Sequence, residues 1–112
     1  MSISTESTTP QSVIIRIGNE LDFGNAAEFR RVCNQRVHQG SRNFILDFSE
    51  TNILDSTGLG AIFSLYREIA PLNGTVVFAS LSEAVRIVVQ VTRIYKVFPQ
   101  FPSTQAAHNA LA

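Results

Sequence analysis

The feature that most constrains the fold is a regular alternation of short apolar runs with longer segments of helical periodicity. Four runs have the length and the β-branched or aromatic composition of strands: 13–17, 44–48, 75–79 and 95–98. Each is followed by a segment whose apolar residues recur every three or four positions. These segments are predicted as helices: 26–39, 56–70, 82–92 and 103–111. Such alternation predicts an α/β domain with mostly parallel strands and right-handed crossovers.

The spacing of the apolar residues also predicts which faces are buried. The run 44–48 is apolar almost throughout, which is typical of a strand covered on both faces. Asn25 is predicted to cap the first helix, with Glu28 completing a capping box, and Gly40 to end it. The predicted buried stripes of the first three helices are Ala26, Phe29, Cys33 and Val37; Leu59, Ile62, Phe63, Tyr66 and Ile69; and Val85, Val88, Val89 and Thr92.

The chain of 112 residues has the size of one domain. Its first eleven residues are rich in Ser and Thr, so we expect a flexible tail over 1–11 that lends an edge strand near Ile3. Residues 12–112 are predicted to form the domain itself. We expect a mixed, mostly parallel sheet of four to five strands with about four helices.

Composition and charge exclude several classes of function. Nine basic residues balance nine acidic ones, so the chain has no long-range field to attract nucleic acid. No run approaches the roughly 18 apolar residues of a membrane span, and the polar N-terminus does not resemble a signal peptide. The single cysteine, Cys33, cannot form a disulfide framework. We therefore expect a cytoplasmic protein that neither binds nucleic acid nor inserts into a membrane.

A search for catalytic chemistry yields no candidate. The glycines at positions 58 and 60 are not followed by a third glycine or a P-loop lysine, so no nucleotide fingerprint is present. His38 and His108 lie near the ends of separate predicted helices, and neither has metal ligands or a nucleophile at a suitable spacing. Cys33 lies on an apolar stripe, where a cysteine is usually a small core residue. We expect no enzyme activity, no cofactor and no metal.

The segment from Asn52 to Gly60 differs from the rest of the chain. Ser56 lies where the loop after a buried strand meets a helix, so its hydroxyl can cap that helix as a purely structural element. However, Gly58 and Gly60 each cost a helix about 1 kcal/mol relative to alanine. Their missing side chains allow another molecule to approach closely. A phosphoryl group on Ser56 is expected to face first-turn N–H groups such as those of Gly58 and Leu59, where helix ends bind anions.

Three motifs resemble those of a known family. The sequence L-D-S-T-G-L-G at 54–60 closely resembles the D-S-[S/T]-G-L-G signature of anti-sigma factor antagonists in the STAS (sulfate transporter and anti-sigma antagonist) domain family. The sequence G-N-E-L-D at 18–22 looks like the family's G-E-L-D turn, with Asn19 inserted, and L-S-E-A-V at 81–85 is similar to a helix start in its second half. The resemblance covers about residues 12–111 and implies a STAS-type single domain.

The resemblance implies a protein of a partner-switching phosphorylation cascade. In the family, the unphosphorylated form binds an anti-sigma factor that is also a serine kinase of the histidine-kinase-like ATPase type, which frees the sigma factor. The kinase phosphorylates the serine that corresponds to Ser56, and a PP2C-type phosphatase reverses this. Thr57 is the alternative target because it is adjacent. The resemblance implies a partner-binding surface made of Asp22, Asp55, Ser56, Thr57, Gly58, Leu59 and Gly60.

Two other functions are compatible with the sequence. STAS-like domains also serve as adaptors of transporters or lipid-export complexes, where the helix end docks without a phosphorylation cycle. A small-molecule binding protein or hydrolase would need a pocket that holds a base and a nucleophile, and the sequence offers no such pair.

Overall fold

The computed structural model describes residues 3–111, in which seven strands and four α-helices alternate along the chain. The strands are β1 (Ser4–Ser7), β2 (Ser12–Arg16), β3 (Glu20–Leu21), β4 (Asn43–Asp47), β5 (Ile53–Leu54), β6 (Thr75–Ala79) and β7 (Gln100–Phe101). The helices are α1 (Ala26–His38), α2 (Ser56–Ile69), α3 (Glu83–Thr92) and α4 (Thr104–Leu111), with short 3-10 helices at Ala70–Leu72 and Ile94–Lys96.

Five strands form the main sheet in the order β1-β2-β4-β6-β7, and β3 and β5 form a separate parallel pair. All neighbours in the main sheet are parallel except β1, which runs antiparallel to β2 at one edge. The predicted α/β class, the mixed and mostly parallel five-stranded sheet and the four helices are therefore confirmed. β1 falls within the predicted tail 1–11; the boundary at residue 12 stays a prediction, and Met1, Ser2 and Ala112 lie outside the described residues.

Both faces of the central strands are buried, because alternate side chains of a strand point to opposite faces. Phe44, Leu46 and Phe48 contribute to a large core with α1, α2 and α3. Ile45 faces the other way and packs with Ala107 of α4 in a smaller cluster. The run at 44–48 is therefore almost entirely apolar because both faces of this strand are covered, as its sequence predicted. Among residues 3–111, α4 is the helix that packs on the second face.

The buried face of α2 is wider than its predicted stripe. Ile62 and Ile69 are fully buried as expected, whereas Leu59, Phe63 and Tyr66 are only partly buried. Instead, α2 also buries small or branched residues that the stripe omitted: Gly58, Ala61 and Leu65. The physical reason is that α2 packs both on the sheet and along α1, so two of its sides are covered.

The predicted strand at 95–98 is wrong. Arg93 adopts a left-handed conformation (φ 59°) that ends α3, and Ile94–Lys96 forms a 3-10 helix. The last strand, β7, comes later, at Gln100–Phe101. The apolar residues that suggested a strand are explained by packing within a turn: Phe98 is fully buried and its ring stacks on Phe78 at a centroid distance of 4.9 Å.

Candidate functional site

Two short strands bring together residues that are more than thirty positions apart in the sequence. In the parallel pair, Glu20 lies opposite Ile53, and Leu21 lies opposite Leu54. Asp22 and Asp55 follow directly, so both emerge at the same end of the pair. The chain next to the pair is also joined: the Asn52 N–H donates to the Asn19 carbonyl at 2.7 Å. The extra residue Asn19 therefore does not displace Asp22 from the site.

Asp55 is the N-cap of α2, so the prediction that Ser56 caps this helix is wrong. The Gly58 N–H donates to Oδ1 of Asp55 at 2.8 Å, and the Leu59 N–H donates to its carbonyl oxygen at 2.9 Å. Oδ2 accepts a further bond at 3.0 Å from the N–H of Phe23, in the loop that follows β3. A carboxylate suits this position because it lies at the positive end of the helix dipole. One side chain thus holds the start of α2 against the neighbouring loop.

Ser56 is the first residue of α2, and both it and Thr57 are exposed. The expectation that a phosphoryl group on Ser56 faces the N–H groups of Gly58 and Leu59 is wrong, because both N–H groups already donate to Asp55. Regular helical bonding gives no partner to the N–H groups of Ser56 and Thr57, which are the first two of the helix. The backbone donors nearest to a phosphate on Ser56 would therefore be those of Ser56 and Thr57, next to the Asp55 carboxylate.

The loop between β3 and α1 is held by its own side chains. Asp22 Oδ1 accepts a bond from the Gly24 N–H at 2.9 Å, and its carbonyl accepts one from the Ala26 N–H at 2.9 Å. Asn25 is 6% exposed; its Oδ1 accepts from the Asp22 N–H, and its amide nitrogen donates to the Glu20 carbonyl. The result is a rigid turn that keeps Asp22 close to Asp55.

The predicted capping box at the start of α1 is also wrong. The Asn25 side chain is directed back into the loop and makes no capping hydrogen bond. Glu28 instead accepts hydrogen bonds from the Arg31 guanidinium at 2.6 and 2.9 Å, which lowers the pKa of its carboxyl group. The sequence pattern could not distinguish these partners because all of them lie within a few residues of one another.

The two glycines of the motif have different surroundings. A Cβ on Gly58 would lie 2.3 Å from the Leu21 carbonyl oxygen, so the missing side chain makes room for the backbone of β3. A Cβ on Gly60 would have no neighbour within 4 Å. The reason predicted for both glycines, the approach of another molecule, is therefore replaced at Gly58 by an internal contact. At Gly60 the space is open, and Leu59 beside it is half-buried.

The structure adds two apolar residues that the sequence analysis missed. Phe23 is 83% exposed and Ile53 is 48% exposed, and they flank the positions of Asp22 and Asp55. A signal for Phe23 was present in the sequence, since a phenylalanine between Asp22 and Gly24 in a tight turn has few ways to reach the core. Asp22, Phe23 and Asp55 lie at the end of the β3–β5 pair where both strands finish, whereas Ile53 lies at its start.

Other features of residues 3–111 offer little chemistry. Within this range no three His, Cys, Asp or Glu side chains are grouped so that they could hold a metal ion. No helix there is both long and apolar enough to cross a bilayer. A groove of about 370 Å³ between α1 and α2 is lined by Cys33, Ala61 and Leu65 among others. Cys33 is buried, and this burial raises the pKa of its thiol, with Glu68 adding to the effect.

Replacing Asp55 should weaken the fold measurably. Asp55→Ala removes two accepted hydrogen bonds, which we expect to cost about 1–3 kcal/mol in the free energy of unfolding. Asp55→Asn should have a smaller effect, because an amide oxygen can still accept from Gly58 while its NH₂ group cannot accept from Phe23. Urea denaturation measures both. Glu83→Ala is the control, because its ion pair with Arg86 (3.6 Å) is exposed. Equal stabilities of Asp55→Ala and the wild type would contradict the bridging role.

The chain belongs to the STAS domain family, whose profile matches residues 4–107. It is 26% identical over 91 residues to the anti-sigma F factor antagonist of Lysinibacillus sphaericus, covering 80% of this chain and 78% of that protein.

Solved structures give the same fold. The unphosphorylated form of the anti-sigma factor antagonist SpoIIAA superposes with a TM-score of 0.86 at 22% identity, over 98% of this chain and 96% of SpoIIAA. The phosphorylated form of the Bacillus protein SpoIIAA superposes with a TM-score of 0.80 at 21% identity, over 99% of this chain and 100% of that protein. The STAS domain of a SulP transporter from Vibrio cholerae superposes with a TM-score of 0.71 at 16% identity, over 95% of this chain and 84% of that domain.

Proposed function

We propose that this protein is an anti-sigma factor antagonist of a partner-switching cascade. Its unphosphorylated form binds and sequesters an anti-sigma factor that is also a serine kinase of the histidine-kinase-like ATPase type. Phosphorylation of Ser56 ends this binding, and a PP2C-type phosphatase restores it. The observation that carries the proposal is the exposed Ser56 at the first position of α2, with the capping role taken by Asp55. The relatives that are anti-sigma factor antagonists support the same function.

The division of roles at Asp55 and Ser56 suits a phosphate acceptor. A serine that capped the helix would have its hydroxyl engaged with a backbone N–H, and phosphorylation would disturb that bond. Here Asp55 supplies the cap, so the Ser56 hydroxyl is available and the helix start does not depend on it. The kinase supplies ATP, magnesium and the base. This domain therefore needs to contribute only an accessible hydroxyl in a fixed position.

The new charge would act on the partner and leave the fold in place. A phosphoserine adds roughly 1.5 to 2 negative charges at neutral pH, here beside the carboxylate of Asp55 and close to Asp22. In a closely packed interface this charge is desolvated and faces the nucleotide phosphates of the kinase, which opposes binding. SpoIIAA has been solved in phosphorylated and unphosphorylated forms, and both superpose on this chain. This supports a switch that works at the surface.

In this proposal the protein is a cytoplasmic regulator, because its kinase partner needs cytoplasmic ATP, and it has no catalytic activity of its own. A transporter or lipid-export adaptor that does not cycle is the alternative, and the likeness to a transporter STAS domain fits its fold. In that case Ser56 would not take up phosphate. A permease gene next to this one would favour the adaptor, and a gene for a serine kinase or PP2C phosphatase would favour the switch.

A phosphorylation assay tests the site. Serine kinases of the histidine-kinase-like ATPase type from the same genome are incubated with radiolabelled ATP and the purified protein. We expect the wild type and Thr57→Ala to take up one phosphate per chain, and Ser56→Ala to take up none. Mass spectrometry of the tryptic peptide locates the phosphate. Stoichiometric labelling of Ser56→Ala would refute the assignment, and labelling on Thr57 in the wild type would move it by one residue.

A further inference from the structure

We infer that Phe23 is the apolar anchor of the surface that binds the kinase, and that its ring enters an apolar pocket beside the nucleotide cleft of that kinase. The inference rests on the proposed function and specifies its interface. Phe23 is 83% exposed, more than any other large apolar side chain in residues 3–111. The core of the domain therefore gains little from this phenylalanine. Aromatic side chains contribute large contact areas and are enriched among the residues that dominate interface energies.

The loop that carries Phe23 is rigid before any partner binds. The Phe23 N–H donates to Asp55 Oδ2 at 3.0 Å, and on either side Asp22 and Asn25 hold the turn through bonds of 2.9 Å. Ordering a mobile loop upon association would cost free energy, so a side chain on an already ordered loop binds with a smaller entropic loss. The backbone at Phe23 is thus held by hydrogen bonds while its side chain is exposed.

The position of Phe23 indicates which partner it contacts. Asp55 accepts a bond from the Phe23 N–H and directly precedes Ser56, so the loop that carries Phe23 lies next to the residue that receives the phosphate. A kinase that brings the γ-phosphate of ATP to Ser56 has to contact the surface around it. The apolar pocket for Phe23 must then lie next to the nucleotide cleft of the same protein. Ile53, 48% exposed, begins β5 opposite Glu20 and is a second exposed apolar side chain of the β3–β5 pair.

The test uses the kinase that phosphorylates Ser56 in the assay above. Its affinity for the wild type, Phe23→Ala, Phe23→Trp and Leu72→Ala is measured by calorimetry with ADP and magnesium, and phosphorylation kinetics are measured with ATP. Leu72 is the matched control: it is apolar and 46% exposed, and it follows the far end of α2, about 21 Å from Ser56 for a helix of 14 residues.

We expect Phe23→Ala to weaken binding by about 10- to 100-fold and to raise KM for the protein substrate with kcat unchanged. Phe23→Trp should restore binding to within about three-fold of the wild type, because an aromatic ring of similar shape is kept. Leu72→Ala should bind like the wild type. All variants should keep the melting temperature of the wild type within a few degrees, because the substituted side chains are exposed.

Several results would overturn the inference. If Phe23→Ala binds as tightly as the wild type while phosphate on Ser56 still blocks binding, the assignment of Phe23 as the anchor is wrong and the proposed function stands. If no such kinase binds or phosphorylates the wild type, the Phe23 anchor and the proposed function are both wrong. A fall in kcat with KM unchanged would place Phe23 in catalysis and not in docking. If sedimentation shows a dimer that Phe23→Ala dissociates, with kinase binding unaffected, a second copy of this chain covers the ring instead.

Discussion

The protein phosphorylated on Ser56 is expected to bind its kinase about 100- to 1000-fold more weakly than the unmodified protein. That range corresponds to about 3–4 kcal/mol, a reasonable cost for an unpaired dianion in a desolvated interface. The effect should be large here because two of the first-turn N–H groups of α2 are not available to the phosphate. Gly58 and Leu59 already donate to Asp55, whose own carboxylate adds repulsion.

Calorimetric titrations of the two purified forms measure this difference. Ser56→Asp and Ser56→Glu should bind poorly, although less so than the phosphorylated form since they carry a smaller charge. Ser56→Ala should bind like the unmodified protein and should resist inactivation by ATP. Leu72→Asp is the control for an added charge outside this surface, because Leu72 is exposed and follows the far end of α2. Equal affinities of the phosphorylated and unmodified forms would refute the switch, even if the phosphate were located on Ser56.

Gly58→Ala should be the most destabilising of the single substitutions considered. Its Cβ would lie 2.3 Å from the Leu21 carbonyl oxygen and 2.9 Å from the Leu21 carbonyl carbon. These are backbone atoms in β3, so they can move away only by disturbing the pairing of β3 with β5. We expect a loss of about 2–4 kcal/mol in the free energy of unfolding, which overlaps the upper part of the usual cost of overpacking and extends beyond it. Urea denaturation followed by circular dichroism measures it.

Gly60→Ala is the matched control, since it makes the same chemical change two residues later in the same helix. A Cβ there would have no neighbour within 4 Å, so alanine should stabilise α2 by about 0.5–1 kcal/mol through its better helix propensity. The two substitutions should therefore have opposite signs. If Gly58→Ala also leaves stability unchanged or raises it, the close approach of α2 to β3 is not as the structure has it.

Comparing the Ser56 variants with Gly58→Ala and Gly60→Ala separates effects on partner binding from effects on stability within one motif. Gly58 is required by an internal contact, whereas Ser56 makes none that the fold depends on. A loss of binding in Gly58→Ala would therefore have to be judged against its loss of stability. A loss of binding in Ser56→Asp can be attributed to the surface. Gly60, with open space around it, is where a larger side chain would report directly on the approach of the partner.

Local patterns predicted most of the secondary structure. The four helices, and three of the four predicted strands, could be located because the period of apolar residues is a property of the nearby chain. The predicted strand at 95–98 failed because the apolar residues there, Phe98 above all, are buried in a turn against Phe78. A short apolar run has the same composition in a strand and in a buried turn. Only its packing partner distinguishes the two.

The site shows a similar division. The sequence by itself determined that a serine with two nearby glycines stands where a helix begins, because the motif and the helical period are both local. Only the tertiary structure decided that Asp55 also accepts a bond from the Phe23 N–H, that Gly58 makes room for Leu21, and that Phe23 is exposed on the loop bonded to Asp55. The physical reason is that each of these depends on the pairing of β3 with β5, which joins segments more than thirty residues apart. Hydrogen bonds and close contacts across such a distance leave no periodic signal in the sequence.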